Sequence, residues 1–463
     1  MNKIQTYIAA GTAAVVMGTT VTSCGIYKKY ETPQNTPLTA AYVEARNSAA
    51  ATDSAAFGNL LWEDVFTDPV LADLITRALA NNTSLKTANN NVGIARAQLK
   101  GARLAYLPSL ALAPQGQGAG AAGSGLTWSY TLPATLSWEI DIFGKLLNSK
   151  RGAAVAVERS EAYAQATRSQ IICAVANTYY TIAAIESQLA VSRSTALLWQ
   201  QSVSTMRDLK EAGRLTEAAV VQSDANYRSV LAAITDLEVQ RHHLDNTMSL
   251  LLNVMPQHFE VAADAQLNVP SMFVQGVPMQ YLAMRPDVTA AERGLAAAYY
   301  TTASARAAFY PGLTITANGG FTNSLGTLVR NPGEWFYNLA GSLVAPLFSR
   351  GQNIARLEAA KLQQANAMNS FESTVLNAAA EVSNALTVYE KSNEREKHLD
   401  VQVEDLTKSV EYTNDLLVYS SGTYLEVLTA QQSLLQSQMS LISNRLTRNQ
   451  SIISLYQATG GGR

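Results

Sequence analysis

The 463-residue chain contains 13 prolines, and none falls within residues 134–255 or 347–463. Glycine is almost as scarce there: Gly213 is the only one between Gly152 and Gly276, and Gly422 the only one between Gly351 and Gly460. Proline breaks helices and glycine commonly ends them, so each stretch reads as two very long helices joined by one turn. Cysteine is nearly absent, and Cys24 and Cys173 alone exclude a disulfide framework or a cysteine metal cage within one chain. A net charge of −2 with a charged fraction of 15% gives no reason to expect nucleic acid as a partner. After the N-terminus no uninterrupted apolar run reaches the ~18 residues of a membrane helix. His242 and His243 are adjacent and so diverge on a helix, His258 lies just after Pro256, and Cys173 in its Ala-rich surroundings reads as packing. No nucleophile motif, phosphate loop or acid–base pair emerges, so neither catalysis, a metal nor a cofactor is expected.

The chain opens with Met1-Asn2-Lys3 and an apolar run from Tyr7 to Gly18, the pattern of a signal peptide over residues 1–23. Val21-Thr22-Ser23-Cys24-Gly25 resembles a lipobox, which implies cleavage before Cys24 and lipid attachment to it. Residues 24–61 lack a sustained apolar period and are expected to be an extended, lipid-anchored linker. Helical patterns follow, with Asp68 and Thr83 as candidate N-caps.

The period then changes to two. Trp128, Tyr130, Leu132, Ala134, Leu136 and Trp138 share one face, opposite mostly Ser and Thr. Strands are expected at about 104–115 and 126–140, paired across a Gly/Ala-rich loop at 116–125. Aromatic edges with no charge between them suit a lipid-facing barrel strand; a half-buried soluble hairpin would suit the same alternation. A hairpin of helices over about 143–254, turning at Gly213, comes next. The plan is then repeated. Tyr106-Leu107-Pro108-Ser109-Leu110 matches Phe309-Tyr310-Pro311-Gly312-Leu313, and Gly213, Glu217 and Gln222 match Gly422, Glu426 and Gln431. Residues 62–278 and 279–463 thus form a tandem duplication, the second with strands at about 310–322 and 335–348 and a hairpin at about 350–458 turning at Gly422. Trp335 and Tyr337 open its last strand. The heptad Met368, Phe371, Val375, Ala378, Val382, Ala385, Tyr389 lapses at Ser392 and Glu396 and resumes at Leu399. A helix from about residue 146 to Gly213 would be ~100 Å long at 1.5 Å per residue.

Four strands cannot close a membrane barrel, so the chain is expected to assemble; three copies would supply twelve strands and a passage. Trp138-Glu139-Ile140-Asp141-Ile142-Phe143-Gly144-Lys145, Met284-Arg285-Pro286-Asp287-Val288 and Tyr419-Ser420-Ser421-Gly422-Thr423 resemble the TolC-like outer membrane efflux proteins, in the OprM/NodT lipoprotein branch. The resemblance covers nearly all of the chain after Cys24. It implies a homotrimer in the outer membrane of a Gram-negative bacterium, with a twelve-stranded barrel and an α-helical coiled-coil barrel reaching into the periplasm. It also implies docking to a periplasmic adaptor and an inner membrane RND-type transporter, and export of small molecules. Type I protein secretion is an alternative within the same fold, and a trimeric lipid-anchored scaffold or adhesin, with charged outer strand faces, is one outside it.

The resemblance further implies a periplasmic gate at the hairpin tips. Glu426 matches a carboxylate of the constriction, and Thr429 stands where a second acid is common. Tyr419 matches a tyrosine that ties one hairpin to its neighbour, and Glu217 could accept its hydroxyl. Solvated helix-face carboxylates are the plainer reading of Glu217 and Glu426.

Overall fold

The computed structural model describes residues 27–49, 60–123, 125–261, 282–283, 285–325, 334–419 and 423–462. The signal peptide, Cys24 and the second turn glycine, Gly422, lie outside them. The described residues belong to two compact units, one drawn from Met1–Asn35, Asn90–Glu161 and Thr289–Ser373, the other from Thr36–Asn89, Ala162–Val288 and Thr374–Arg463.

The stretch expected to be extended carries a helix, α1 (Pro37–Ala49). Local capping explains it. Pro37 sits at the first helical position, the Thr36 hydroxyl accepts from the Thr39 N–H at 3.3 Å, and the Thr39 hydroxyl accepts from the Thr36 N–H at 3.3 Å. Tyr42 and Ala45 are buried, one face of a short helix too weakly periodic to be read from sequence.

After α2 (Trp62–Val65), α3 (Pro69–Asn81) begins as expected: the Asp68 carboxylate accepts from Val70 N–H at 2.8 Å, and its other oxygen takes the Tyr179 hydroxyl at 2.6 Å. The next helix, α4 (Thr83–Leu104), is capped by Asn82 and not by Thr83. The Asn82 amide oxygen accepts from Ser84 N–H at 2.9 Å while its amide nitrogen donates to the Leu251 carbonyl at 2.9 Å. Asparagine offers both a cap acceptor and a long-range donor, which threonine cannot do at that distance.

The sheet belongs to the first unit. Its strands are β1 (Ser109–Leu112), β2 (Gln115–Ala119), β3 (Thr127–Ile140), β4 (Gly312–Leu325) and β5 (Glu334–Val344). The first expected strand, from about 104, starts five residues later because α4 continues to Leu104, and it runs on as β2 into the expected loop. β1 and β2 both pair antiparallel with β3 in a single register, and the break between them falls at Pro114, which has no N–H to give the ladder. The β3–β4 ladder then joins the two repeats, from Trp128↔Leu325 to Ile140↔Leu313, and β5 pairs with β4. The sheet is therefore four strands wide, with β1/β2 at one edge and β5 at the other.

Four long helices follow the strands: α5 (Lys145–Glu211), α6 (Glu217–Leu252), α8 (Gln352–Tyr419) and α9 (Tyr424–Ala458), with α7 (Pro286–Ala307) opening the second repeat. The first turn has the form that the sequence indicates. Gly213 has φ +73°, its N–H donates to the Lys210 carbonyl at 2.9 Å, and the Arg214 N–H donates to the Leu209 carbonyl at 2.9 Å. This is the left-handed helix stop that glycine adopts without a Cβ penalty. The core of the second unit gathers Phe66, Leu71 and Ile75 with Ile172, Tyr179 and Ile182 of α5, Met248 and Leu252 of α6, and Ile453 and Tyr456 of α9. Among the described residues no helix is long and apolar enough to cross a membrane.

One glycine of the sheet cannot be replaced. A Cβ on Gly320 would lie 2.1 Å from the Leu132 carbonyl oxygen across the β3–β4 ladder, whereas one on neighbouring Gly319 would meet only ordinary contacts, nearest 3.7 Å. Gly320→Ala should abolish most of the heat-modifiable folded species on a cold denaturing gel. Gly319→Ala should retain it.

Candidate functional site

The register sorts the sheet into two faces. Leu110, Leu112, Trp128, Leu132, Leu136, Trp138, Ile315, Ala317, Phe321, Trp335, Tyr337, Leu339 and Leu343 share one. Gln115, Gln117, Ser129, Thr131, Thr135, Ser137, Thr314, Thr316, Asn318, Thr322, Asn338 and Ser342 share the other, with the carboxylates Glu139 and Glu334 near its ends and Ala111, Pro133, Phe336, Ala340 and Val344 interrupting it. The apolar face is uncovered in the single chain: Leu110 is 71% exposed, Trp335 63% and Tyr337 82%. A contiguous exposed apolar face of this size marks contact with membrane or protein. The four girdle candidates, Trp128, Trp138, Trp335 and Tyr337, all lie on it. Trp128 and Trp138 are separated along β3 by ~33 Å of strand, or ~25 Å of height at a tilt of ~40°, which is the apolar band of an outer membrane barrel. Trp335 packs edge-on to Phe321 at 5.4 Å, and the Trp138 indole donates to the Tyr106 carbonyl at 2.9 Å. The charged outer face that a soluble scaffold would need is absent from the described strand residues.

The second candidate site is the end of the second unit where both hairpins turn. Met206, Val220, Leu417 and Val427, one residue from each long helix, form a small buried cluster that brings the two tips together. Glu217 and Glu426 each occupy the first turn of an ascending helix, where a carboxylate is favoured by the N-terminal N–H groups. The Glu426 carboxylate accepts from the Thr423 N–H at 3.3 Å, the reaching-back half of a capping box. Glu217 is paired with Lys210 across the Gly213 turn, so its carboxylate is engaged inside its own hairpin. Tyr419 is 85% exposed, and its hydroxyl makes no hydrogen bond within the chain among the described residues. The Thr429 hydroxyl donates back to the Leu425 carbonyl at 2.8 Å. The tip therefore collects Glu217, Tyr419, Glu426 and Thr429 at one end without joining Tyr419 to Glu217.

Two charge clusters away from the tips hold the helices in place, and neither was legible as a cluster in the sequence. Arg285 donates through two nitrogens to Asp287 (3.0 and 2.7 Å), to Glu381 of α8 at 2.7 Å and to the Ala458 carbonyl at the end of α9 at 3.0 Å. The Arg-Pro-Asp motif thus clasps the start of the second repeat to both helices of its hairpin. Buried Arg241 of α6 donates to Glu186 of α5 at 2.6 Å, to Asp245 and to the Phe259 carbonyl. Asp245 also meets His258 Nδ1 at 2.9 Å and the Phe259 N–H at 3.1 Å. His258, unremarkable in sequence, is one arm of this clasp. Burial pushes the Asp245 carboxyl up, but hydrogen bonds from His258, Arg241 and Phe259 N–H, together with the Arg241 charge, outweigh it and hold the group below its ordinary value. Cys173 is fully buried, and desolvation raises its thiol to about 12, which suits packing and not reactivity.

A family model described as outer membrane efflux protein matches residues 74–254 and 277–461. The cation efflux system protein CusC of Escherichia coli O6:H1 is 27% identical over 452 residues, covering 96% of each chain. The toluene efflux pump outer membrane protein TtgC of Pseudomonas putida is 27% identical, over 99% of this chain and 96% of its own. Among solved structures, the open state of the Neisseria gonorrhoeae MtrE outer membrane channel superposes with a TM-score of 0.79 at 28% identity, covering 89% of this chain and 93% of that one.

Asp245 has a depressed folded-state pKa, so it stabilises the fold above about pH 4 and that contribution is lost as pH falls through the lower folded value. Asp245→Asn should therefore lower the unfolding temperature more at about pH 7 than in acid below the carboxyl's own folded value. Its buried partner gives the size: Arg241→Leu, which leaves Asp245 uncompensated, should cost about 3–5 kcal/mol in chemical denaturation at neutral pH. At the tip, Glu426→Gln keeps the capping acceptor and should cost only a few tenths of a kcal/mol, the charge at the helix N-terminus, whereas Glu426→Ala should cost about 1 kcal/mol.

Proposed function

The chain belongs to the outer membrane efflux protein family, and from that premise we propose that three copies close one barrel and form the exit duct of a tripartite efflux system. Each chain is an outer membrane channel protein of such a system and reaches into the periplasm. The observation that carries the trimeric reading is the four-strand sheet with two unpaired edges and an exposed apolar face. In hydrocarbon an open edge leaves N–H and C=O groups without partners at several kcal/mol each, so the β5 edge of one copy pairs with the β1/β2 edge of the next. Three copies give twelve strands, wide enough for water, whereas two would give eight and a filled interior. The Thr, Ser, Asn and Gln face then lines the passage, hydrated and nearly uncharged, and passes solutes with little selection.

Selection by charge falls to the tips. From Ser409 to Asn444 the second hairpin carries Glu411, Asp415 and Glu426 and no lysine or arginine. In a trimer Glu426 recurs three times around the axis, and a ring of carboxylates attracts cations and repels anions at a constriction. Thr429 in place of a second acid makes this ring a single one. Tyr419, exposed in the single chain, is available to a neighbouring copy, with Glu217 the acceptor in its vicinity.

The duct itself supplies no energy, so it works with a periplasmic adaptor and an inner membrane transporter of the RND class. The cargo is a small molecule chosen by that transporter; the similar proteins named for cations and for toluene show how different such cargoes are. Cys24 is the lipid attachment point that anchors each copy to the outer membrane. Planar bilayer recording tests the gate. Glu426→Gln channels, with the cap intact, should lose part of the cation preference of the unsubstituted protein; equal reversal potentials in a salt gradient would remove Glu426 from the gate.

A further inference from the structure

The two repeats build the same hairpin twice. The ladder of the first starts at Ser109↔Ser137 and that of the second at Gly312↔Val344, so the entering strands recur 203 residues apart and the leaving strands 207 apart. Landmarks outside the ladders keep these spacings. Helix α4 ends at Leu104 and α7 at Ala307, and the left-handed glycines after the leaving strands are Gly144 (φ +69°) and Gly351 (φ +75°). By backbone position β1/β2 and β4 are therefore one strand in two copies, as are β3 and β5.

The ladders also fix which way the open edges point. The Ala113 N–H donates to the Pro133 carbonyl at 3.1 Å, so odd-numbered residues of β1/β2 turn their N–H and C=O toward β3. Each later ladder keeps a single register, and the alternation carries through to β5. Even-numbered residues from Leu110 to Gly118 then face one open edge, and odd-numbered residues from Trp335 to Leu343 face the other. Both sets belong to the apolar face of the sheet, so the edges match in hydrogen-bonding direction and in side. The β5 edge is also cut short. β3 stays paired with β4 to Ile140, whereas β5 stops at Val344, before Leu347, the position equivalent to Ile140. Pro346 has no N–H to give β4, which ends that ladder, but Ala345 and Leu347 face the open side and keep theirs. Leu347 is 96% exposed and Leu110 71%.

We propose that the join between copies repeats the β3–β4 ladder: β5 of one copy pairs with β1/β2 of the next in the register Leu347↔Leu110, Leu343↔Pro114 and Gly341↔Gly116, and residues 345–347 become strand on assembly. This rests on the trimeric reading above. The template is the join inside the chain, where Ile140↔Leu313, Leu136↔Ala317 and Ala134↔Gly319 hold the same three places. Gly116 and Gly341, where an added Cβ would meet nothing in the single chain, come together at the centre as Ala134 and Gly319 do. A shift of one residue would turn the apolar side chains into the passage, and a shift of two would lose the equivalence with the internal ladder.

Disulfide trapping in membranes carrying the full-length protein tests the register. Gln115 and Ser342 become directly opposed, non-hydrogen-bonded partners on the passage face, with Cα atoms about 4.5 Å apart, within reach of a disulfide. Gln115→Cys with Ser342→Cys should oxidise to a covalent trimer on a non-reducing gel. Gln115→Cys with Ala340→Cys or with Val344→Cys, diagonal pairs about 7–8 Å apart, should cross-link about tenfold more slowly. Single-cysteine variants control for Cys24 and buried Cys173. A trimer by native mass that cross-links faster through a diagonal pair, or through none of the three, would overturn the register and leave the trimer standing; a monomer would overturn the trimeric reading and the register with it. Hydrogen exchange on the unsubstituted protein gives a second reading that no cysteine can perturb: the Leu347 amide should be protected in the trimer, and free exchange there would contradict the proposal.

Discussion

A sheet four strands wide has two unpaired edges, and the hydrocarbon of a membrane offers nothing to pair them with. Every other feature of the chain is consistent with that constraint. The β3–β4 ladder fuses the two repeats into one surface, so the duplicated halves cannot act as separate modules. Gly320 permits the close approach of those strands, and the two prolines that face each other's strands, Pro114 and Pro133, give up ladder hydrogen bonds without shifting the register. The sheet is continuous inside the chain and incomplete at its margins, and only further copies of the same sheet supply matching edges.

The long helices answer a different demand. A coiled-coil pair tens of residues long slips by a heptad at little cost unless polar contacts fix its register. Arg241 with Glu186 does so in the first hairpin. Where the heptad lapses at Ser392 and Glu396 in the second, Arg445 and Arg448 of α9 bind Glu396 at 2.8 and 2.6 Å, and the Asn444 amide donates to the Ser392 carbonyl at 2.8 Å. The lapse in the apolar pattern is therefore a built polar layer. Beyond it, toward the turn, the four helices converge on Met206, Val220, Leu417 and Val427, a thin apolar seal beside Glu426.

How much of this was legible in the sequence depended on whether the signal was local. The proline-free stretches, the Gly213 turn, the Asp68 cap and the period-two faces of β3 and β4 are set by nearest neighbours along the chain, and each is found as expected. The start of β1 was misplaced because Ala102 to Tyr106 continues a helical pattern until Pro108 ends it. Helix α1 was missed because two threonines, each capping the other, do not form the usual acidic capping box. The Arg241–Glu186 and Arg285–Ala458 contacts join residues 55 and 173 positions apart, and no periodicity encodes such a pairing. For the same reason the sequence brought Tyr419 and Glu217 together through resemblance alone, while inside one chain Glu217 is held by Lys210.

The central claim is that one chain is a third of a barrel. The most direct measurement is the native mass of the detergent-extracted mature protein, recorded with the bound detergent stripped in the gas phase. A trimer, with no stable monomer under mild extraction, is what the unpaired β1/β2 and β5 edges require. A stable monomer that stays soluble without detergent would contradict the account, because its apolar strand face would then have to be covered from within the chain.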